Sequence, residues 1–495
     1  MPQLRDSSQS YDFSAAERSA DTSFERIFGI ETEYGVSVTG DEHTVDAAHA
    51  AAVMFEPVVT QSRSTNTYTD NGSRLYLDVG AHPEYATAEA RTVRDAVLLD
   101  AAGEKLMASL AHHAQSQLRE RTGHTQLKVH VYKNNTDSQG HSFGCHENYL
   151  VRRSVSLELL EHCFIPFLTT RLIFAGAGAV RGSDFLISQR SDFLDDTISS
   201  ATTRSRPMIN TRDEPHADSR MYRRLHVIVG DSNRSERANW MKLMTAHLVL
   251  CMIEASTRGE DYGLEALAMS TPGAQMKAIS RDTNFSYRVP LKDGRALTAI
   301  DIQREYCQAA QCFMRNHNND LSQDMRDDAY ACLELWEDTL NSLEHKSFQH
   351  LASWVDWIAK YELIEALRER GADNARVQQI DFAYHDIAQD RVFAALRMHG
   401  KMNSLFSAQQ IHDALTSAPG DTRAALRSRF IRAARSTSMR WSADWTSVSI
   451  TPSRESHTLS AYILDPFSTH ADEQFAAVMA AIQQGRDDNP ILPLI

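Results

Sequence analysis

The stretch Arg26-Ile-Phe-Gly-Ile-Glu-Thr-Glu-Tyr-Gly-Val-Ser-Val38 decides how the chain is read. Its β-branched and aromatic content is that of a strand. Strand side chains alternate faces, so Glu31 and Glu33 share one face with Gly29 and Gly35, while Ile30, Tyr34, Val36 and Val38 take the other. Two carboxylates therefore stand on a face that glycines keep clear of bulk. A solvated polar face is the plain alternative, so the reading turns on what the chain places beside it.

Next outward, Asn71-Gly-Ser-Arg-Leu-Tyr-Leu-Asp-Val-Gly80 repeats the pattern: Leu75, Leu77 and Val79 point one way, and Arg74, Tyr76 and Asp78 the other. It leads into Ala81-His-Pro-Glu-Tyr-Ala-Thr87. Paired in one sheet with polar faces together, the two runs gather Glu31, Glu33, Tyr76, Asp78 and Glu84 beside Arg74. Hard oxygen donors on a rigid sheet suit Mg²⁺, which completes its shell with water and substrate phosphate. A third run, Leu127 to Asn135, precedes Gly144-Cys-His-Glu-Asn-Tyr149. His146-Glu147 is not a zinc-protease motif, because Leu150 stands where the second His belongs. Cys145 and His146 are strand neighbours on opposite faces, which forbids a thiol–imidazole dyad.

The densest polar stretch runs from Thr202 to Asp218 and is followed by Tyr222 to Asp231, where Leu225, Val227 and Val229 alternate with Arg224, His226 and Ile228. Arg224 and His226 then share the polar face of a strand, and arginines there suit phosphoryl oxygens. Surface ion pairing is the equal alternative for this region taken alone. The glycines of Ala175 to Gly182 are out of register for a dinucleotide fingerprint, and no G-x-x-x-x-G-K-[ST] loop occurs, so any ATP is held without a P-loop.

The whole chain bounds these readings. Its 495 residues, 42% hydrophobic and 23% charged, have the usage of a globular protein. A net charge of −14 opposes broad association with nucleic-acid phosphates or anionic membranes. Six cysteines without a C-x-x-C pair read as free thiols of a reducing cytoplasm. Residues 1–25 mix charge with Ser, lack an apolar signal core, and are taken as a disordered tail. Leu159 to Val180 is apolar but carries Glu161, His162 and Arg171, so it is a buried element and not a span.

Short strand-like runs with helices between them extend to about Gly230; helical period dominates from Met241 onward, through Leu248 to Glu254, Ile300 to Asn316 and Ala329 to Leu343. One helix follows the second strand motif, with Leu99, Ala102, Leu106 and Leu110 on one face. The fold class is α+β. A composition shift around Asn403 to Thr422, with the Pro419-Gly420 turn signal, divides a large domain (26–410) from a small C-terminal one (411–495). There, Arg423, Arg427, Arg429, Arg432 and Arg435 form a basic helical segment read as a solvated or domain-docking face.

Paired Glu on one strand, Tyr and Asp on the next, and Arg and His on later strands resemble the sheet of the glutamine synthetase and carboxylate-amine ligase group. The chain is more closely similar to the Pup ligase family, through G-I-E-T-E-Y-G, N-G-S-R-L-Y-L-D-V-G-A-H-P-E-Y-A-T-A-E, the K-N-N to C-H-E-N-Y segment, and S-S-A-T-T-R-S-R-P-M-I-N-T-R-D-E-P-H-A-D, over Arg26 to about Phe467. The resemblance implies a glutamine synthetase-like domain with a curved, mostly antiparallel sheet packed by helices. It also implies a cytoplasmic, monomeric ligase that joins the side-chain carboxylate of the C-terminal Glu of Pup to substrate lysines through a γ-glutamyl phosphate, using ATP and Mg²⁺. By the same resemblance Glu31, Tyr76 and Glu84 match magnesium ligands; Arg74, Thr87 and Trp445 match nucleotide contacts; and Asp78 matches the catalytic base. Glu33 and His226 are assigned to the metal, Arg190 and Arg212 to the nucleotide, and His146 to the active site. The paralogous Pup deamidase and depupylase, Dop, shares the fold but carries a long insertion between the first two strand motifs, and only a short segment separates Gly35 from Asn71 here. Ala90, where such ligases usually show Cys, departs from the pattern without touching a matched position.

Overall fold

The computed structural model describes residues 23–40, 45–78, 80–137, 140–194, 196–199, 206–452 and 457–485. Readings placed on residues 1–22, on Val79, on 138–139 and on 200–205 lie outside them. Of the segment taken as a tail, residues 23–25 are packed. Phe24 is fully buried edge-on to Phe313 and His317, and Glu25 pairs with Arg91.

The opening stretch is not one strand but two. β1 (Phe28–Glu33) and β2 (Gly35–Thr39) part at Tyr34, a buried residue whose N–H donates to the Pro83 carbonyl. The remaining strands to the middle of the chain are β3 (Asn66–Tyr68), β4 (Arg74–Asp78), β5 (His82–Ala86), β6 (Lys128–Tyr132), β7 (Cys145–Arg152), β8 (Ala179–Arg181), β9 (Asp184–Leu186), β10 (Asp196–Ser199), β11 (Pro207–Asn210) and β12 (Tyr222–Val227). An eight-stranded sheet takes the order β10-β11-β12-β7-β1-β5-β4-β3, and β2 leaves it to pair with β6. Its pairs are antiparallel except β10 with β11, so the α+β class holds. β1 and β4 do share the sheet, but β5 lies between them, and this inserts Glu84 between the two polar rows.

One face of the sheet is dry. Phe28, Ile30 and Thr32 of β1 are buried while Gly29, Glu31 and Glu33 stay half-open, the alternation expected of a strand with one face on a core. Over the dry face runs the helix Val93–Thr122, started by the Thr92 side chain capping Asp95 and stopped at Gly123 in the left-handed region. Leu99, Ala102, Leu106 and Leu110 form its buried stripe. Gly103 lets Tyr85 of β5 seat against this helix: a Cβ there would lie 2.2 Å from the ring. Gly103→Ala should therefore destabilise by about 1–3 kcal/mol through overpacking, read as a lower denaturant midpoint at unchanged slope. Helix Glu236–Ser256 is buried almost all round, and helices Ala299–Asn316 and Gln323–Glu344 complete the layer against it. The stretch Leu159 to Val180 is almost wholly buried in this core, and all six cysteines are free.

Beyond residue 411 a helix (Ala424–Arg435), three antiparallel strands (Arg440–Ala443, Ser447–Thr451 and Leu459–Tyr462) and a final helix (Glu473–Gln484) close around their own cluster, which includes Phe430, Val448, Ile450 and Phe475. The basic segment divides by helical face. Arg429 and Arg432 are exposed, whereas Arg423, Arg427 and Arg435 are buried and bind Glu89 and Asp70 of the sheet domain.

Candidate active site

Sheet register builds the site row by row. Glu84 of β5 lies directly opposite Glu33 of β1 and Tyr76 of β4, and Asp78 stands opposite His82 at the open end. Oxygens of Glu33, Asp78 and Glu84 come within 4.8 Å of one another. Burial, followed by the charges of Glu31 and Glu33, pushes the Glu84 carboxyl well above the usual carboxylate range, against the Tyr76 hydroxyl that bonds it. Gly144 donates its N–H to Glu33 Oε2 at 2.8 Å, which fixes that carboxylate from the β7 side.

Glu31 belongs to a second group. Its carboxylate lies 3.2 Å from His146 Nδ1 and 3.3 Å from His226 Nε2, and accepts from Asn148 at 3.2 Å and Arg224 at 3.4 Å. The two imidazoles meet edge to face, 4.9 Å between centroids. Burial alone would raise the Glu31 carboxyl, but His226 and His146 hold it well below the usual range. Burial lowers His226, and among the described residues neither of its ring nitrogens has an aligned hydrogen-bond partner.

The five residues expected at the metal are thus split: Glu33, Tyr76 and Glu84 in an oxygen-only group with Asp78, and Glu31 with His226 and His146 in a mixed nitrogen–oxygen group. Three converging carboxylates, one of them with its carboxyl pushed up by burial and by its acidic neighbours, fit a hard divalent cation such as Mg²⁺.

Beside Glu31 a cleft opens that is lined by Gly29, Thr87, Arg224, Arg423 and Trp445. Thr87 is buried, its hydroxyl accepting the Ile30 N–H at 2.9 Å. Trp445 stands edge-on to Tyr68 and carries the Arg427 guanidinium 4.9 Å from its ring. Arg74 lies over the Tyr76 ring and donates to Asn66. Arg190 is buried, gives one NH to the Phe143 carbonyl at 2.7 Å, and among the described residues has no partner for its Nε. Arg212 is the outlier: β11 ends at Asn210, and beyond it the Arg212 side chain is 66% exposed and paired with Glu214. The sequence reading missed Asn148, although its alternation with His146 on β7 places it on the same face. It also missed Glu89, whose partners are more than 330 residues away in the chain.

A family model described as Pup-ligase protein matches residues 26–449. The Pup–protein ligase of Bifidobacterium dentium is 49% identical over 487 residues, 97% of this chain and 99% of that one. That of Bifidobacterium adolescentis is 48% identical over 496 residues, covering 98% and 100%. Among solved structures, the ligase PafA in complex with the prokaryotic ubiquitin-like protein Pup is 34% identical with a TM-score of 0.86 over 94% of each chain. PafA in complex with ADP is 36% identical with a TM-score of 0.77, over 87% of this chain and 93% of that one. A match that spans both the carboxylate strands and Trp445, with near-complete coverage of the relatives, leaves one assignment: the chain belongs to the Pup ligase family.

Proposed function

We propose that this protein is an ATP-dependent ligase that joins the side-chain carboxylate of the C-terminal Glu of Pup to lysine ε-amino groups of other proteins. The observation that carries the reading is the Glu33–Asp78–Glu84 carboxylate group on the same sheet as a cleft lined by Glu31 and Trp445, within a chain of this family. A carboxylate and an amine do not condense in water. ATP first converts the carboxylate to a γ-glutamyl phosphate, releasing ADP, and the lysine then displaces phosphate.

The residues divide this work. Trp445, Thr87 and Arg74 bind the nucleotide, and Arg190 takes an oxygen of the transferred phosphoryl group through its unpartnered Nε. Arg212 closes on the phosphates only by leaving Glu214. Glu33, Tyr76 and Glu84 in one group, and Glu31 and His226 in the other, would hold Mg²⁺, with His146 steadying Glu31. Mg²⁺ when bound supplies positive charge that screens the approach of the substrate carboxylate to the γ-phosphate. Asp78 takes the lysine proton. The enzyme works as a monomer in the cytoplasm, and among the described residues no helix is long and apolar enough to cross a membrane.

The deciding experiment supplies a lysine-bearing acceptor, ATP with Mg²⁺, and Pup ending in Glu or in Gln. Pup-Glu should give a heavier acceptor band with one ADP released per bond. Conversion of Pup-Gln to Pup-Glu without conjugate would make the protein a deamidase. The ligase is favoured because the segment between Gly35 and Asn71 is too short to contain Dop's long insertion.

Two further results are expected. Glu31→Ala should weaken binding of Mg·ATP, and unchanged nucleotide affinity would remove Glu31 from the metal shell. Because proton and cation compete for Glu84, whose carboxyl is raised, the Mg²⁺ concentration for half-maximal activity should rise as pH falls. Calorimetry in two buffers of different ionisation enthalpy should then register proton release on Mg²⁺ binding, and Glu84→Gln should abolish that release.

A further inference from the structure

The turn that carries Arg190 is fastened by one buried carboxylate. Asp231, 3% exposed, accepts through Oδ2 from the backbone N–H of Ala177 at 2.8 Å and of Gln189 at 2.9 Å. Its Oδ1 accepts from the Ser188 hydroxyl at 2.9 Å and from the backbone N–H of Arg190 at 3.1 Å. Four donors use the full acceptor capacity of a carboxylate, so Asp231 has none left for a substrate.

The neighbouring bonds run on to the carboxylate group. Ser232 exchanges two hydrogen bonds with the Asn135 side chain, at 2.7 and 3.0 Å. Gln189 Oε1 accepts the Asn135 N–H at 2.7 Å. Asn135 and Arg190 both donate to the Phe143 carbonyl, and the next residue, Gly144, gives its N–H to Glu33. A single network of buried polar groups thus spans from Asp231 to Arg190 on one branch and to Glu33 on the other.

We propose that Asp231 is a positioning residue for phosphoryl transfer: its carboxylate locks the Ser188–Arg190 turn so that the Arg190 guanidinium, with one NH tied to the Phe143 carbonyl, is held in a single orientation. This rests on the phosphate role given to Arg190 above. Such control matters because misplacement of a catalytic group by about 1 Å costs on the order of 10²-fold in rate. In Asp231→Asn an amide NH₂ meets backbone N–H donors in place of an acceptor, and the turn shifts.

The test is a double-mutant cycle of Asp231→Asn with Arg190→Ala, reading kcat and KM for ATP and for Pup separately, with a melting temperature for each variant. Asp231→Asn should lower kcat by roughly 10²-fold and raise KM for ATP, with KM for Pup unchanged. In the Arg190→Ala background the same substitution should lower kcat less than about threefold, since the group it positions is gone. Full multiplication of the two effects overturns the positioning role, because Asp231 then acts elsewhere. Arg190→Ala with undiminished activity overturns instead the phosphate role of Arg190, and with it this proposal. If Asp231→Asn does not fold, Ser188→Ala, which removes one of the four donors, is run through the same cycle and judged by the same non-additivity.

Discussion

Asp78→Asn is expected to lower conjugation by roughly 10²–10⁴-fold while leaving nucleotide affinity within a few-fold of the parent. The amide is isosteric, so it keeps the packing of β4 and the register that sets Asp78 opposite His82. What it loses is the ability to accept a proton. A lysine amine, with a pKa near ~10.4, is almost wholly protonated at neutral pH and cannot attack an acyl phosphate in that form. Asp78 is exposed at the open end of its strand, whereas Glu84 in the same group is 3% exposed and Glu33 already accepts from Gly144. An incoming amine therefore meets Asp78 first. Single-turnover conjugation and nucleotide titration, run side by side, separate the outcomes. Conjugation at the parent rate would dismiss Asp78 as the base. Loss of nucleotide binding in step with conjugation would make it a metal ligand of the Glu33–Glu84 group.

The carboxylate strands were legible because their information is local. Alternation of period two put Glu31 with Glu33 and Tyr76 with Asp78 on shared faces, and the structure keeps those faces. The apolar stripe of helix Val93–Thr122 and the three later helices follow from period 3.6 in the same way. What local pattern could not give was strand order. No periodicity says that β5 threads between β1 and β4, and that insertion decides which carboxylates touch: Glu84 joins Glu33 and Asp78, and Glu31 is left to the two imidazoles. The break at Tyr34 was equally hidden. It arises because from Gly35 onward the chain pairs with β6, Gly35 opposite Tyr132, and nothing in the residues around Tyr34 interrupts the alternation. The place of Arg212 was hard to read for the opposite reason. A dense run of Arg and Asp reads alike whether it faces a ligand or itself, and here it faces Glu214.

Glu89→Ala is expected to destabilise the fold by about 3–5 kcal/mol and to weaken nucleotide binding with it. Glu89 receives Arg423 at 2.7 Å and Arg427 in a second ion pair, all three side chains being nearly inaccessible. Truncating the one acid leaves two buried guanidiniums facing each other without a counter-charge. The same Arg427 donates to the Trp445 carbonyl at 3.0 Å and lies over its ring, so loss of the clamp also frees the wall of the nucleotide cleft. The pH dependence has a definite sign. Burial would raise the Glu89 carboxyl, but Arg427 and Arg423 pull it down to about 2 from an ordinary value of 4.5. A group depressed on folding stabilises above its unfolded pKa, so its contribution, roughly 3 kcal/mol by linkage, is full above about pH 5 and fades as pH falls toward 2. The parent should lose stability steeply over that window, and Glu89→Ala should lack this component of the slope. Urea unfolding at pH 7 and pH 3.5, followed by circular dichroism, measures it. Equal stability of parent and variant at pH 7 would show that helix Ala424–Arg435 is held to the sheet domain by its apolar contacts and not by this clamp.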